Sequence, residues 1–267
     1  MPLIERAEGR TLFGAEARRY ARARPDYPAR VREVLLARCG AIPGARAFEI
    51  GAGTGKATRV LLELGCEVSA VEPDARMSAV LLEDLSPSLT AHLQVMNCGF
   101  EEAPLEAASF DLGIAATAFH WLEPAVVLPR IFDLLRPGGH WAMWWNLFDP
   151  PEDDAFLRRT APLFESLARG PSQAPNGRPT FALDVAARTA ELHAAGFEAV
   201  QYERLDWEIE QDTESVLALV ATFSPVSHAS PEAREVLMQG LRRITDEEFG
   251  GRVTRCFQTT IYTAVRL

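Results

Sequence analysis

The chain is poor in cysteine and shows no pairing among the four it has: Cys39, Cys66, Cys98 and Cys256 stand far apart, with no Cys-x-x-Cys. That spacing argues against a zinc site and a disulfide framework, so no metal is expected and a reducing, cytoplasmic setting fits. Long apolar runs are missing too. No stretch reaches the roughly 18 residues that a membrane span needs, and the N-terminal segment carries Glu5 and Glu8 in place of a signal-like apolar core. Positive charge is in the minority, with 27 Lys and Arg against 37 Asp and Glu, a net charge of −10. A surface of that sign works against phosphate backbones and anionic lipid, so neither nucleic acid nor a membrane is an expected partner. The 267 residues contain no internal repeat or low-complexity tract, and they suffice for one large α/β domain with a substantial core. A single domain, monomeric or homodimeric, is the expectation.

What is present centres on one stretch, Ala47-Phe48-Glu49-Ile50-Gly51-Ala52-Gly53-Thr54-Gly55-Lys56-Ala57-Thr58, which reads as a buried strand turning into a helix. Glycine at every second position lets a ligand lie against the backbone while the chain takes torsions that other residues avoid. A phosphate-cradling loop would need glycine where Ile50 stands and a hydroxyl where Ala57 stands, so that reading fails. A dinucleotide fingerprint would need glycine where Lys56 stands, which weakens that reading without excluding it. A tight turn with no ligand remains the bland alternative.

Around this loop the apolar pattern predicts alternating strands and helices. The second strand, Cys66 to Val71, ends in Glu72, 21 positions after Gly51, the distance at which a strand return sets a carboxylate beside a ribose. Leu89 to Met96 is predicted as the third strand and Ser109 to Ala116 as the fourth. Open parallel sheets bind ligands outside the carboxyl ends of their strands, where the first and fourth diverge. That places small Ala115 and Ala116, then Thr117, Phe119, His120 and Trp121, against the ligand, with His120 the one titratable group there. Arg136 to Gly139 is predicted as a turn before a fifth strand, His140 to Leu147. Phe148 to Pro179 is rich in proline and too long for an ordinary connection, so it reads as a substrate lid. Ala182 to Ala195 is predicted helical and Phe197 to Ile209 a strand. Thr213 to Phe223 and Pro231 to Phe249 are amphipathic helices before a last strand, Arg252 to Arg266. Ahead of the loop, Glu16 to Ala23 is predicted helical until Pro25, with Tyr20 and Arg24 on one face.

The pattern Glu-Ile-Gly-Ala-Gly-Thr-Gly from Glu49 resembles the class I S-adenosylmethionine-dependent methyltransferases, and Leu135-Arg136-Pro137-Gly138-Gly139 is similar to a segment common in that family. The run Tyr20-x-x-x-Arg24-Pro25-x-Tyr27-Pro28 resembles a small-molecule subgroup that includes trans-aconitate methyltransferase-like proteins. The resemblance implies an α/β fold with a Rossmann-like, doubly wound seven-stranded sheet of order 3-2-1-4-5-7-6, the last strand antiparallel. It implies an arm over the cofactor at 1–28 and helical lid insertions at 148–180 and 210–251. The implied cofactor is S-adenosyl-L-methionine. Glu49 would hold its methionine end, Gly51, Ala52, Gly53 and Gly55 its cradle, Glu72 the ribose, and Pro73 and Met77 the base. Phe100 and Glu101 would meet the adenine amino group, since Asn97 stands where many members carry an acid. Tyr20 and Arg24 would close the pocket, Ala116 and Thr117 would lie by the reactive methyl, and Tyr27, Phe119 and Trp121 would meet the small-molecule acceptor, with His120 the candidate general base. Two motifs of DNA-modifying members are missing, Asn/Asp-Pro-Pro-Tyr/Phe after the fourth strand and a Pro-Cys nucleophile. An NAD-dependent oxidoreductase and a non-catalytic cofactor-binding or regulatory protein on the same fold stay as alternatives.

Overall fold

The computed structural model describes residues 4–148, 154–172 and 179–267, so parts of the expected arm (1–3) and of the first lid (149–153 and 173–178) lie outside the described residues. Seven strands form one sheet in the order β3-β2-β1-β4-β5-β7-β6, the order expected from the sequence. β1 (Arg46–Ile50), β2 (Glu67–Val71), β3 (Leu93–Met96), β4 (Phe110–Ala116) and β5 (Leu135–Leu147) pair in parallel. β7 (Arg252–Val265) runs antiparallel between β5 and β6 (Glu198–Asp212).

Both faces of the sheet are buried, and β5 shows why. Its alternation sends Trp141, Met143 and Trp145 to one core, with Phe48, Phe119, Ile131 and Tyr262, and sends Ala142 and Trp144 to the other, with Leu35, Leu61, Leu81 and Ile261. Close approach within the first core depends on Gly113. A Cβ there would lie 2.3 Å from Cζ of Phe48, a ring already packed against Phe100, Phe110 and Trp141. Gly113→Ala is therefore expected to destabilise the fold by about 1–3 kcal/mol through overpacking, read from the urea midpoint; an unchanged midpoint would show that the Phe48 ring yields.

Several boundaries differ from the sequence expectation. The third strand begins at Leu93, because Ser86-Pro87 starts a short helix, Pro87–Thr90, with proline at its first turn. Residues 136–139 belong to β5 as an irregularity, with a register shift between Phe110 and Leu112. The helix expected from Ala182 begins at Val185, after a 3-10 turn at Phe181–Leu183. The helix Pro231–Arg243 passes into a π-helical turn, Ile244–Glu248.

The two insertions read separately in the sequence pack as one helical layer. Phe156 and Leu167 from the first share a cluster with Val216, Val220, Leu237 and Leu241 from the helices Thr213–Val220 and Pro231–Arg243. The arm helix Ala17–Ala23 rests through Ala17 and Tyr20 on Met77 and Val80 of the helix Ala75–Asp84. It is tied to the second insertion by an Arg234–Glu16 ion pair at 3.0 Å. Among the described residues no helix is long and apolar enough to cross a membrane.

Candidate active site

The loop after β1 takes left-handed torsions at Gly51, Gly53 and Gly55 (φ 69°, 57° and 86°), which L side chains disfavour. A Cβ on Gly51 would also stand 2.6 Å from that of Ala118. The loop opens into the helix Lys56–Glu63, whose first turn has no side-chain cap, which leaves N–H groups there without a capping acceptor.

Two buried carboxyl groups flank this cradle. Glu72, at the end of β2, accepts from the Gly53 N–H at 2.8 Å and from the Asp74 N–H at 2.9 Å, one on each oxygen. Each oxygen keeps a further lone pair. Burial pushes the Glu72 pKa up to about 7, partly offset by those two N–H donors. Glu49 is 1% exposed and accepts from the Thr58 hydroxyl at 2.6 Å. Burial pushes it up to about 8, against the lowering by Thr58 and with a small addition from Glu72.

Glu49, Gly51, Ala52, Gly53, Glu72, Pro73, Met77, Phe100, Ala116 and Thr117 line one cavity of about 1080 Å³, covered from the arm by Tyr20, Arg24 and Tyr27. Two expected residues stand elsewhere. Gly55 lies behind the loop as the helix N-cap, against Leu81. Glu101 turns to Arg10, which donates to both its oxygens at 3.1 and 2.8 Å, so only the Phe100 and Gly99 portion of that loop reaches the cavity. Asn97 ties β2 to its neighbouring helix through the Glu72 carbonyl and the Ser78 hydroxyl at 3.0 and 2.7 Å.

A second cavity, about 1340 Å³, adjoins the first. Phe13, Tyr20, Arg24, Thr117, Trp121, Asn146 and Phe148 line both and form the seam between them. Of these, Phe13, Asn146 and Phe148 were not among the residues expected from the sequence. Thr117 sits in a left-handed conformation (φ 57°), the kind of strain that collects at functional sites, and its hydroxyl meets that of Tyr27 at 3.1 Å. Burial raises the Tyr27 pKa, which keeps the phenol neutral. Arg24 donates to the Thr222 hydroxyl at 2.8 Å and the Thr222 carbonyl at 2.9 Å, and its guanidinium lies over the Tyr20, Phe148 and Phe223 rings.

The 3-10 turn Phe119–Trp121 splits the expected aromatic wall. Trp121 reaches both cavities and His120 the second, whereas Phe119 is fully buried beside Trp141 and Phe181 and lines neither. Trp145 donates its indole N–H to Nδ1 of His120 at 3.0 Å. Since an indole only donates, the neutral ring carries its proton on Nε2. Burial, with lesser repulsion from Arg24 and Arg6, pushes the His120 pKa down to about 3. With Nδ1 already accepting from Trp145, the ring presents Nε2–H as a donor, an arrangement that favours a positioning role over the expected general base. Lys56, the only lysine of the chain, pairs with Asp26 of the arm at 2.6 Å.

A doubly wound sheet with its glycine loop and a ribose-spaced carboxylate at the switch point is the arrangement on which α/β proteins bind nucleoside cofactors. Residues 48–143 match the family model described as "Methyltransferase domain". An uncharacterized methyltransferase of Mycobacterium tuberculosis, Rv3342, is 40% identical over 51% of this chain and 53% of its own length. The chain thus spans about half the length of that relative. An uncharacterized methyltransferase of Schizosaccharomyces pombe, C25B8.09, is 28% identical over 88% of this chain and 87% of its own. In fold the chain is similar to phosphoethanolamine N-methyltransferase 2 of Haemonchus contortus, solved with phosphomonomethylethanolamine and S-adenosylhomocysteine: TM-score 0.58, 16% identity, 97% of this chain and 60% of that one. The chain is thus similar to methyltransferases over residues 48–143 and in fold, and the cofactor that this similarity implies is S-adenosylmethionine. The residues present fit that group: a cradle that a Cβ would fill, and a ribose-spaced carboxylate with lone pairs to spare.

Proposed function

We propose that the protein methylates a small, largely apolar molecule held in the second cavity. The observation that carries this reading is the seam: one cavity built on the cofactor motif opens, across shared residues, onto another walled mainly by aromatic and aliphatic side chains, with Arg24, His120, Asn146 and Arg255 among them. When bound, S-adenosylmethionine supplies an electrophilic methyl group on a sulfonium. Glu49 and the glycine loop would hold its amino-acid tail, Glu72 its ribose hydroxyls, and Pro73, Met77 and Phe100 its base. The arm closes the cofactor cavity, and the joint helical layer acts as the lid that selects the acceptor. With these walls closed, alignment and exclusion of water supply much of the acceleration. The Tyr20-Arg24-Tyr27 segment and its seat over the cavity support the subgroup similar to trans-aconitate methyltransferase-like proteins. A cytoplasmic monomer or homodimer is the proposed state.

Calorimetry tests the reading. S-adenosylhomocysteine is expected to bind and NAD to fail; the reverse would bring forward the oxidoreductase reading, and a bound cofactor with no methylated product the non-catalytic one. His120 is assigned to positioning. Once product mass spectrometry has identified an acceptor, His120→Gln, which keeps a donor, is expected to hold the single-turnover rate within about threefold of the parent. His120→Ala is expected to lose about tenfold with no change in the shape of its profile from pH 6 to 9. A rate limb that vanishes with the imidazole would restore the base.

A further inference from the structure

β6 is the outermost strand of the sheet, paired with β7 on one side and with no strand on the other among the described residues. It reaches the candidate site from behind. Trp207 of β6 donates its indole N–H to the Thr259 hydroxyl oxygen at 2.9 Å, and that hydroxyl donates to Oδ1 of Asn146 at 2.7 Å. The amide on the seam thus takes its orientation from a strand at the edge of the sheet.

An edge strand turns the N–H and C=O groups of every second residue outward, a template for another strand. The two edges of this sheet guard against that differently. β3 is only four residues long, too short to template much pairing. β6 runs for 15 residues, Glu198–Asp212, without proline or glycine. Its one irregularity lies at its start, where the register shifts between Glu198 and Gln201 and Ala199 has φ 49°. From Tyr202 onward its pairing with β7 is regular. Charge is the remaining guard, and Arg204 and Asp206 supply it with opposite signs on one exposed face, 3.4 Å apart.

Two edge strands related by a two-fold axis pair antiparallel and close the assembly at two copies. Centred on Leu205, such a pair sets Arg204 of each copy opposite Asp206 of the other, Glu203 opposite Trp207 and Tyr202 opposite Glu208, with no like charges facing. Glu203 brings no free charge, because Arg30 and Arg38 of the helix Ala29–Arg38 pair with it at 2.5 and 2.7 Å. The neighbouring centres fail. Glu203, Arg204 or Asp206 would each face its own copy, and a centre on Trp207 would set Asp206 against Glu208 twice.

We propose that the protein forms a homodimer by antiparallel pairing of β6 with β6 of a second copy, centred on Leu205, which joins the two seven-stranded sheets into one. Pairing covers the exposed edge and clamps the strand that carries Trp207. The proposal decides between the two states named above and stands independently of the methyl-transfer reading.

Sedimentation equilibrium of the full chain is expected to give twice the monomer mass. Arg204→Asp is expected to raise the dissociation constant at least about tenfold, since two attractive pairs become two repulsive ones. Arg204→Asp combined with Asp206→Arg reverses both signs, keeps the complementarity, and is expected to return the constant to within about threefold of the parent. Crosslinking reads the register. With a short bismaleimide, Leu205→Cys is expected to give a covalent dimer above the background of the parent's own cysteines. Ile209→Cys, whose counterpart then lies about 26 Å away along the strand, is not. Unchanged far-ultraviolet circular dichroism verifies that each variant folds. A monomeric parent, a dimer indifferent to Arg204→Asp, a double variant that stays dissociated, or crosslinks at 209 in place of 205 overturns the proposal.

Discussion

Replacing Glu72 by Ala is expected to lower S-adenosylhomocysteine affinity by about hundredfold or more in calorimetry. The carboxylate does two jobs at one place. It accepts from the Gly53 and Asp74 N–H groups, fixing the glycine loop against the end of β2, and it keeps a lone pair on each oxygen, which the proposed reading gives to the two ribose hydroxyls. Hydrogen bonds to a charged group are worth about 1.5–3 kcal/mol each, so loss of two reaches roughly 3 kcal/mol or more. Glu72→Gln separates the jobs, because the amide keeps one acceptor oxygen but presents N–H to the other N–H donor. It is expected to fall between parent and Ala. Affinity within about threefold of the parent in the Ala variant would show that the ribose is held elsewhere.

Glu49 makes both stability and cofactor affinity depend on pH. Its folded pKa, raised to about 8 from an ordinary 4.5 by burial, means that the folded chain binds more protons than the unfolded chain between those values. Stability is therefore highest near and below pH 4.5 as far as this group is concerned, and falls as pH rises until the carboxyl ionises near 8. At about 1.4 kcal/mol per pH unit, the loss between pH 5.5 and 9 is roughly 3 kcal/mol. Urea unfolding of the ligand-free protein at the two pH values is expected to show this decline together with a smaller one from Glu72, whose pKa is also raised, and Glu49→Gln to remove its own share. A ligand ammonium favours the ionised carboxylate, so cofactor binding is expected to release a proton at pH 7 and to tighten as pH rises toward 8. Titration in buffers of different ionisation enthalpy reads the proton directly. An identical pH slope in Glu49→Gln would move the linkage to another group, with Glu72 first in line.

The loop, both acids and the strands were legible in the sequence because each depends on local pattern: alternating glycine, a carboxylate at a strand end, and apolar alternation or runs; the strand order came only with the family resemblance. Phe119 misled because the segment after β4 turns as a 3-10 helix, which splays three consecutive side chains and buries the first. Glu101 misled because Arg10, 91 positions earlier, captures it. Asn146 was silent for a related reason. Its orientation comes from Thr259, its cross-strand partner in β7, and from Trp207 of β6 behind that hydroxyl, and nothing local to β5 marks it. The union of the two insertions is likewise a product of tertiary packing, since each is amphipathic by itself and the sequence does not say what its apolar face meets.

The lone lysine has a practical consequence. Lys56 is the single side-chain amine in the chain, and it bridges the glycine loop to the arm through Asp26. An amine-reactive fluorophore would therefore report from one internal position, where the arm meets the cradle. Its accessibility to the reagent would time the opening of the arm in the unmutated protein.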